Sequence, residues 1–218
     1  MKVYNARREP VHLGRSIGQG GEATVYRVDG PDGLLAKIYT PAPRKSYTAK
    51  LTWMMAHPPE NPTRALHHPS LAWPTGLVFD GQRRLAGYLM PHIEGAVPIL
   101  EVFNPRRRAQ VLPRFDQRYL FRTAHNLTAT VAALHRSGYI AGDLNESNAL
   151  VTPSALVTLI DVDSFQVQEQ KDSRLTIHYC PVGKLEYTPP ELQGKSLKEI
   201  TRLPEHDNFA LAVLIFQL

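Results

Sequence analysis

Two acidic residues and an asparagine form the part of this sequence best suited to catalytic chemistry. Asp143 and Asn148 lie in the stretch 142–148, and Asp161 follows thirteen residues after Asn148. Carboxylate and amide oxygens are ligands that Mg²⁺ takes in proteins, usually beside the phosphates of a nucleotide. An acid and an amide alone are more often an exposed loop or a helix cap. The spacing of all three residues, however, is typical of phosphoryl-transfer enzymes.

The residues between Asn148 and Asp161 predict a hairpin that brings these two side chains together. Apolar runs occupy 149–152 and 157–160, and a Pro-Ser pair separates them. Branched apolar residues favour strands, and proline favours a turn. A tight hairpin would place Asn148 and Asp161 at the same end, where one metal ion could bind both.

The N-terminal part of the chain predicts a β-sheet with one helix. Alternating apolar residues between Gly-rich and Asp-Gly turns predict strands at 13–17, 24–28, 34–39, 77–80 and 85–90. A helix is predicted at about 46–56, and the proline-rich segment 57–62 ends it.

Two helices are predicted in the remainder of the chain. Apolar residues at helical spacing indicate a long helix across 120–134, with Gly138 as its stop. The segment 207–218 is predicted to be an apolar helix with Asp207 as its N-cap. Because so apolar a helix needs burial on most of its surface, we expect a fragment, or the ordered part of a longer protein.

Composition excludes several classes of protein. The length of 218 residues and the hydrophobic content of 43% suit a globular chain of one or two domains. The single cysteine, Cys180, excludes an internal disulfide and favours a reducing, cytoplasmic location. No apolar run is long enough to span a membrane or to form a signal peptide. The arginine-rich region 106–122 lacks aromatic stacking runs, which favours a solvated face or an acidic partner over nucleic acid.

Five motifs occur in one order along the chain. They are the glycine-rich stretch 18–25, Ala36-Lys37, Asp143 with Asn148, Asp161, and Thr-Pro-Pro-Glu at 188–191. On these motifs the chain resembles the eukaryotic-type (Hanks-type) Ser/Thr protein-kinase superfamily over nearly its whole length. The resemblance implies an α+β fold of two lobes, a β-rich small lobe at 1–93 and a mostly helical large lobe at 94–218. It also implies a large lobe that stops after the sixth major helix.

The resemblance gives the polar residues their expected roles. Asp143 would orient the acceptor hydroxyl and take its proton, and Asn145 stands where the family has a catalytic lysine. Lys37 would contact the α- and β-phosphates of ATP. The implied metal ligands for Mg²⁺ are Asn148, Asp161 and Asp163. Asp163 could equally cap a turn.

The resemblance also implies an ATP site. Small residues in the glycine-rich loop let backbone N–H groups approach phosphate oxygens. The carbonyl of Pro91 and the N–H of Ile93 would bind the adenine ring, inside an apolar slot. The full set implied for the nucleotide is Gly18, Gly20, Gly21, Val25, Ala36, Lys37, Met90, Pro91, Ile93 and Leu150.

Four departures distinguish the chain from the family pattern. No acidic residue lies between Asp32 and Glu60, so the predicted helix cannot supply the glutamate that usually pairs with the strand lysine. Ala141-Gly142 replaces His-Arg, which removes the standard arginine for a phosphorylated activation segment. Asn145 replaces the lysine, and the magnesium loop reads Asp-Val-Asp instead of Asp-Phe-Gly. These segments resemble a divergent bacterial branch whose kinase domains are linked to helix-hairpin-helix modules or encoded beside phosphatases.

The sequence therefore predicts an ATP- and Mg²⁺-dependent signalling kinase that phosphorylates Ser or Thr in proteins. The departures leave a second interpretation open, a nucleotide-binding pseudokinase that acts as a scaffold. A small-molecule kinase is the third, and the 188–191 motif argues against it because it resembles a peptide-substrate platform. The expected partners are a protein substrate and either a regulatory protein or a cognate phosphatase, with no role for membrane or nucleic acid.

Overall fold

The computed structural model describes residues 1–30, 33–41 and 45–218, which form two compact units. The first unit comprises residues 1–58 and 72–92, and the second comprises 59–71 and 93–218. The sequence had suggested a junction after residue 93, with 59–71 in the first lobe. Residues 59–71 belong to the second unit because they bond to one of its strands. The Thr158 hydroxyl donates to Pro69 O at 2.6 Å, and the Leu159 N–H donates to Ser70 O at 2.9 Å.

The described residues of the first unit contain one antiparallel sheet of seven strands in the order β2-β1-β6-β7-β5-β4-β3. The strands are β1 Val3–Tyr4, β2 Pro10–Val11, β3 Leu13–Gln19, β4 Ala23–Val28, β5 Leu34–Tyr39, β6 Gly76–Phe79 and β7 Leu85–Pro91. The five strands predicted from alternation are confirmed. The pair β1 and β2 was missed, because two-residue strands are too short to show a period.

Helix α1, Lys45–Ala56, connects β5 to the second half of the sheet and packs through its apolar side chains. Leu51 and Met54 are fully buried, and the Trp73 indole N–H donates to the Met54 carbonyl at 2.9 Å. The ring of Tyr47 contacts Tyr39 of β5 edge-on, with centroids 5.5 Å apart. The predicted helix is therefore confirmed, and aromatic packing fixes it against the sheet.

The second unit is mostly helical and carries two small sheets. Its helices are α2 Leu100–Phe103, α3 Pro105–Val111, α4 Gln117–Arg136 and α5 Pro204–Gln217. One sheet has the order β10-β9-β8, with β8 Val97–Pro98, β9 Ala149–Val151 and β10 Val157–Leu159. The other sheet is a hairpin of β11 Val167–Lys171 and β12 Arg174–His178. The hairpin β9–β10 was predicted from the sequence, whereas β11–β12 was not.

Helix α4 leads directly to the segment that contains Asp143. Its first turn is capped by Asp116, whose side chain accepts the N–H groups of Arg118 and Tyr119 at 2.9 and 3.2 Å. Leu127, Val131 and Leu134 bury the apolar face predicted from their spacing. The helix ends just before Gly138, whose φ of +78° is a conformation that glycine adopts readily.

Helix α5 begins earlier than the sequence suggested. Its N-cap is Leu203 and its first residue is Pro204, so the expectation that Asp207 caps this helix is wrong. Proline at the first helical position lacks only an N–H that would have no partner in the helix. Asp207 instead lies inside the first turn, and its carboxylate is buried and bonded to another part of the unit, as described below.

We expect acidification to lower the free energy of unfolding through His68. This imidazole is buried, with Nε2 2.9 Å from the Thr158 hydroxyl and 3.2 Å from the Val157 carbonyl. Burial lowers the pKa of His68 below its ordinary 6.5, so the unfolded chain takes up its proton first as pH falls. The stabilisation that comes from neutral, buried His68 is fully present above the pKa of His68 in the unfolded chain. It is lost as pH falls below that pKa, and the loss is about 1.4 kcal/mol for each pH unit by which folding lowers the pKa.

Urea unfolding at about pH 7.5 and about pH 5.5 measures this loss, which falls inside the range where histidine titrates. His68→Gln should show a smaller difference between the two pH values than the wild type. His125→Gln, at an exposed position of α4, is the matched control and should keep the full difference. An unchanged pH difference in His68→Gln would contradict the prediction.

Candidate active site

The carboxylate of Asp143 is fixed by hydrogen bonds to both of its oxygens. The Asn145 side-chain amide donates to Oδ1 at 2.9 Å, and the Lys184 backbone N–H donates to the same oxygen at 3.2 Å. The Asn148 amide donates to Oδ2 at 3.3 Å and to the Asp143 carbonyl at 3.0 Å. Donors on both oxygens leave the carboxylate one orientation.

The environment of Asp143 makes it a better base than an exposed aspartate. Burial raises the pKa of Asp143, and the charge of nearby Asp161 adds to the rise, while hydrogen bonds from Asn145, Lys184 and Asn148 act against it. The net direction is upward. A base works best when its pKa approaches the working pH, so this arrangement suits acceptance of a proton from a hydroxyl.

Asn148 and Asp161 meet at one end of the β9–β10 hairpin, as the sequence predicted. The Ile160 N–H donates to the Asn148 carbonyl at 2.9 Å and closes this end of the hairpin. Both side chains line an open cavity of about 360 Å³. The lining residues, all in the second unit, are Asp143, Asn145, Ser147, Asn148, Asp161, Val182, Gly183 and Lys184.

The donor set fits a hard cation that keeps non-protein ligands. The amide nitrogen of Asn148 is directed at Asp143, so the planar group turns its oxygen the other way. No group of three or more His, Cys, Asp or Glu side chains in the described ranges could hold a metal. Mg²⁺ commonly takes only one or two protein oxygens and completes its shell with water and phosphate. Asp161 and Asn148 match that requirement.

Asp163 and Asn145, two further residues predicted for the site, are almost fully buried. Asp163 lies in a 3₁₀ turn at Val162–Ser164, is only 4% exposed and does not line the cavity. Asn145 is equally buried, and its Oδ1 accepts the Ser147 N–H at 2.9 Å. The Asn145 side chain therefore holds the loop and Asp143 in place from both ends of its amide.

The glycine-rich loop lies in the first unit as the turn between β3 and β4. The Gly20 N–H donates to the Ala23 carbonyl at 2.8 Å and closes this turn. A Cβ added at any of the three loop glycines predicted to contact phosphate would meet no atom closer than 3.8 Å. These are Gly18, Gly20 and Gly21. The backbone of the turn is thus open to an approaching ligand.

Strand pairing defines the sheet face that carries Lys37. Lys37 pairs directly with Val25 of β4 and with Tyr88 of β7. Leu35, two residues before Lys37, pairs with Met90. Directly paired residues share a face, as do residues two apart along a strand. Val25 and Met90 therefore lie on the face of Lys37.

Ala36 lies on the opposite face of the same sheet. It is fully buried in a core with Val3, Ile38 and Val78. Because successive side chains of a strand point to opposite faces, Ala36 cannot line a site next to Lys37. This corrects the expectation for Ala36, and Leu35 is the residue that shares the face of Lys37.

The remaining predicted adenine contacts lie on different elements. Pro91 ends β7 and pairs with Leu34, and Ile93 is the first residue of the second unit after that strand. Leu150 is half-buried in β9 and pairs with Thr158.

Asp207 anchors the backbone just before Asp143, a role that sequence reasoning missed. Its Oδ2 accepts the Ala141 N–H and its Oδ1 accepts the Gly142 N–H, both at 2.8 Å. The His135 imidazole lies 2.9 Å from Oδ2. The available signal was helical spacing, because Asp207 precedes Ala210, Leu211 and Leu214 on the buried face of the helix. A buried carboxylate needs such partners.

Gly142 stands where the family has an arginine, and the structure leaves no room for a side chain there. Its φ is +71°, and an added Cβ would lie 2.7 Å from Cys180 Cβ and 2.8 Å from its sulfur. Arg202, which is buried, approaches from another segment and donates to the Val182 carbonyl at 3.0 Å. Arg202 thus ties the 180–184 segment to the unit without using residue 142.

Gly142→Ala should destabilise the protein more than Gly138→Ala, by at least about 1 kcal/mol. Both glycines have positive φ, +71° and +78°, so both variants incur the cost of left-handed backbone, about 1–2 kcal/mol. A Cβ at Gly138 meets no atom within 4 Å, whereas one at Gly142 overlaps Cys180. Overpacking adds about 1–3 kcal/mol. Urea unfolding of the two variants measures the difference, and equal losses would contradict the steric argument.

Two curated proteins are similar to this chain over nearly its whole length. Protein kinase YegI of Escherichia coli strain K12 is 34% identical over 220 residues, which cover 100% of this chain and 33% of that protein. Protein kinase YegI of Escherichia coli O157:H7 is 35% identical, with 99% and 32% covered. The chain thus spans about a third of the length of the curated relatives it matches. No protein-family model matches it.

Solved structures establish the fold. ROP2 of Toxoplasma gondii, described as a virulence factor with a protein-kinase fold and no enzymatic activity, superposes with a TM-score of 0.65 at 16% identity. The ROP18 kinase domain, solved with AMP-PNP and sucrose, gives 0.62 at 17% identity. Each match covers 99% of this chain and 66% of the other. This chain has a protein-kinase-like fold.

The protein-kinase-like fold confirms the α+β class predicted from the motif order. The resemblance to kinase domains linked with helix-hairpin-helix modules stays a prediction, as do the roles assigned to the site residues. Within the described part of the chain, no helix has both the length and the apolar character required to cross a bilayer.

Proposed function

We propose that the protein transfers the γ-phosphoryl group of ATP to Ser or Thr hydroxyls of a protein substrate, with Mg²⁺. The observation that carries this proposal is the cavity at which Asp143, Asn148 and Asp161 meet. A hydrogen-bonded carboxylate with raised pKa lies there beside an amide and a second carboxylate. Phosphoryl transfer depends mainly on positioning and on neutralisation of phosphate charge, and these groups serve both needs.

We propose a separate role for each polar residue of the cavity. Asp143 would orient the acceptor hydroxyl and take its proton. Asn148 and Asp161 would hold Mg²⁺, which when bound neutralises charge on the β- and γ-phosphates. The hydrogen bonds that Asn145 and Asn148 donate would hold Asp143 in one orientation.

In the first unit, nucleotide contacts are proposed for Lys37 and its sheet face and for the glycine-rich turn. Lys37 would bind the α- and β-phosphates, and the N–H groups of the open 18–21 turn would approach phosphate oxygens. Val25, Leu35 and Met90 share the face of Lys37 and would contact the adenine ring. The AMP-PNP in the ROP18 kinase domain supports a nucleotide for a chain of the same fold.

The test is phosphate transfer by the full-length protein. Purified protein is incubated with γ-labelled ATP, Mg²⁺ and a generic protein acceptor, and the labelled residue is identified after acid hydrolysis. We expect label on phosphoserine or phosphothreonine, and none when a chelator removes Mg²⁺. Label on tyrosine, or transfer only to a small-molecule acceptor such as a sugar or an aminoglycoside, would contradict the proposed substrate class.

A second candidate function is nucleotide binding without catalysis. The inactive protein ROP2 has the same fold, and this chain has Asn145 in place of the family lysine. The helix α1 also has no acidic residue. Both candidate functions require ATP binding, which thermal unfolding with and without Mg·ATP detects. A ligand at 100 times its Kd adds about 2.7 kcal/mol to the free energy of unfolding. Stabilisation by Mg·ATP without transfer would favour the scaffold.

A further inference from the structure

We propose that Lys184 supplies the positive charge beside the transferred phosphate that residue 145 does not supply. This inference rests on the proposed phosphoryl transfer. Lys184 belongs to the segment after β12, far from Asn145 in sequence, yet both residues line the same cavity as Asp143, Asn148 and Asp161. A kinase-type centre needs a cation near the phosphate because negative charge is concentrated on its equatorial oxygens.

The backbone of Lys184 is fixed relative to Asp143. Its N–H donates to Asp143 Oδ1 at 3.2 Å, and its carbonyl accepts the Thr188 hydroxyl at 2.9 Å. Thr188 is itself buried. Hydrogen bonds at both its N–H and its carbonyl therefore fix the backbone of Lys184. The N–H contacts the carboxylate that would receive the proton of the acceptor hydroxyl.

The side chain of Lys184 is directed by Glu146. The Lys184 ammonium donates to Glu146 Oε1, and the Glu146 side chain is 11% exposed where that of Lys184 is 42% exposed. An ammonium group has three donors, and the bond to Glu146 uses one of them. The carboxylate thus sets the position of the ammonium of this cavity-lining residue. The other two ammonium N–H groups stay available to a phosphate.

The charges around Lys184 keep it protonated. The hydrogen bond that Lys184 donates to Glu146 raises the pKa of Lys184, and the charges of Glu146, Glu186 and Asp143 act in the same direction against burial. Lys184 therefore keeps its positive charge beside Glu146.

The experiment compares kcat and KM of the full-length protein with those of four single variants and one double variant. Lys184→Gln removes the charge, Lys184→Arg keeps it, and Lys195→Gln removes an exposed lysine from a nearby part of the same unit as the matched control. We expect Lys184→Gln to lower kcat by about tenfold or more, as for other groups that stabilise developing charge. Its Kd for ATP and its melting temperature should stay near those of the wild type.

Recovery by arginine separates a charge effect from a structural one. The kcat of Lys184→Arg should lie within about threefold of the wild-type kcat, because either cation can donate hydrogen bonds to a phosphate. Glu146→Gln should lower kcat less than Lys184→Gln, and adding it to Lys184→Gln should have little further effect. A Lys184→Gln enzyme as active as Lys195→Gln overturns the inference, as does equal loss in Lys184→Gln and Lys184→Arg. A wild type without transfer activity overturns the proposed function and the role of Lys184 with it.

Discussion

Replacing Asp143 with asparagine should lower the rate of phosphoryl transfer by at least ~10²-fold, the usual contribution of a positioned general base. Asparagine has nearly the same shape, but it cannot accept the proton of the hydroxyl. It also offers one acceptor oxygen where Asp143 receives hydrogen bonds on two, from Asn145 and Lys184 on Oδ1 and from Asn148 on Oδ2. The measurement is kcat with labelled ATP, together with Kd for ATP.

Asp172→Asn is the matched control for this variant. Asp172 lies at the tip of the β11–β12 hairpin with a φ of +47°, and asparagine tolerates this conformation about as well as aspartate. The control should keep wild-type kcat, and Asp143→Asn should keep the stabilisation by Mg·ATP while losing transfer. If Asp143→Asn transfers phosphate as fast as Asp172→Asn, Asp143 is not the base and the proposed mechanism is wrong.

The sequence predicted the parts of the site that depend on local pattern. Apolar runs on either side of a Pro-Ser pair predicted the hairpin that brings Asn148 to Asp161, because both strands and turn lie within a few residues. Helical spacing predicted α4 and its end near Gly138. The motif order then predicted a kinase-like fold, although no motif alone would have been specific.

The errors in the sequence prediction come from tertiary contacts. Ala36 was placed in the nucleotide site by its position next to Lys37, but strand alternation puts neighbours on opposite faces. Asp207 was read as a cap because aspartate favours that position, whereas its partners Ala141 and Gly142 lie over sixty residues earlier. Lys184 and Arg202 reach the site from segments with no local pattern. Such contacts cannot be derived from spacing alone.

Gly142 stands where the superfamily that the sequence resembles has an arginine, and Arg202 lies close to it in the structure. Gly142 is packed against Cys180, and Arg202 donates to the carbonyl of Val182 two residues further along. In the superfamily that the sequence resembles, the arginine before the catalytic aspartate binds a phosphate carried by the activation segment. Here Arg202 holds the segment that carries Lys184 by donating a hydrogen bond to the Val182 carbonyl. We therefore expect this segment to be ordered without a phosphate.

Asp207→Ala should lower the free energy of unfolding by roughly 3 kcal/mol or more. The buried carboxylate accepts the N–H groups of Ala141 and Gly142 at 2.8 Å, and His135 lies 2.9 Å from it. Alanine leaves the buried N–H of Ala141 and the partly buried N–H of Gly142 without an acceptor, at about 1–3 kcal/mol for each buried donor. Since the loop that carries Asp143 begins at these two residues, kcat should fall as well, even at temperatures where the protein stays folded.

Glu205→Ala is the matched control, because Glu205 lies in the first turn of the same helix but is exposed. Exposed substitutions of this kind usually change stability by less than about 0.5 kcal/mol. Urea unfolding and kcat are measured for both variants and for His135→Ala, which removes one partner and keeps the two backbone bonds. The expected order of destabilisation is Asp207→Ala, then His135→Ala, then Glu205→Ala. If Asp207→Ala is no more destabilising than Glu205→Ala, the carboxylate does not anchor the loop, and the fixed position of Asp143 must come from Asn145, Asn148 and Lys184 alone.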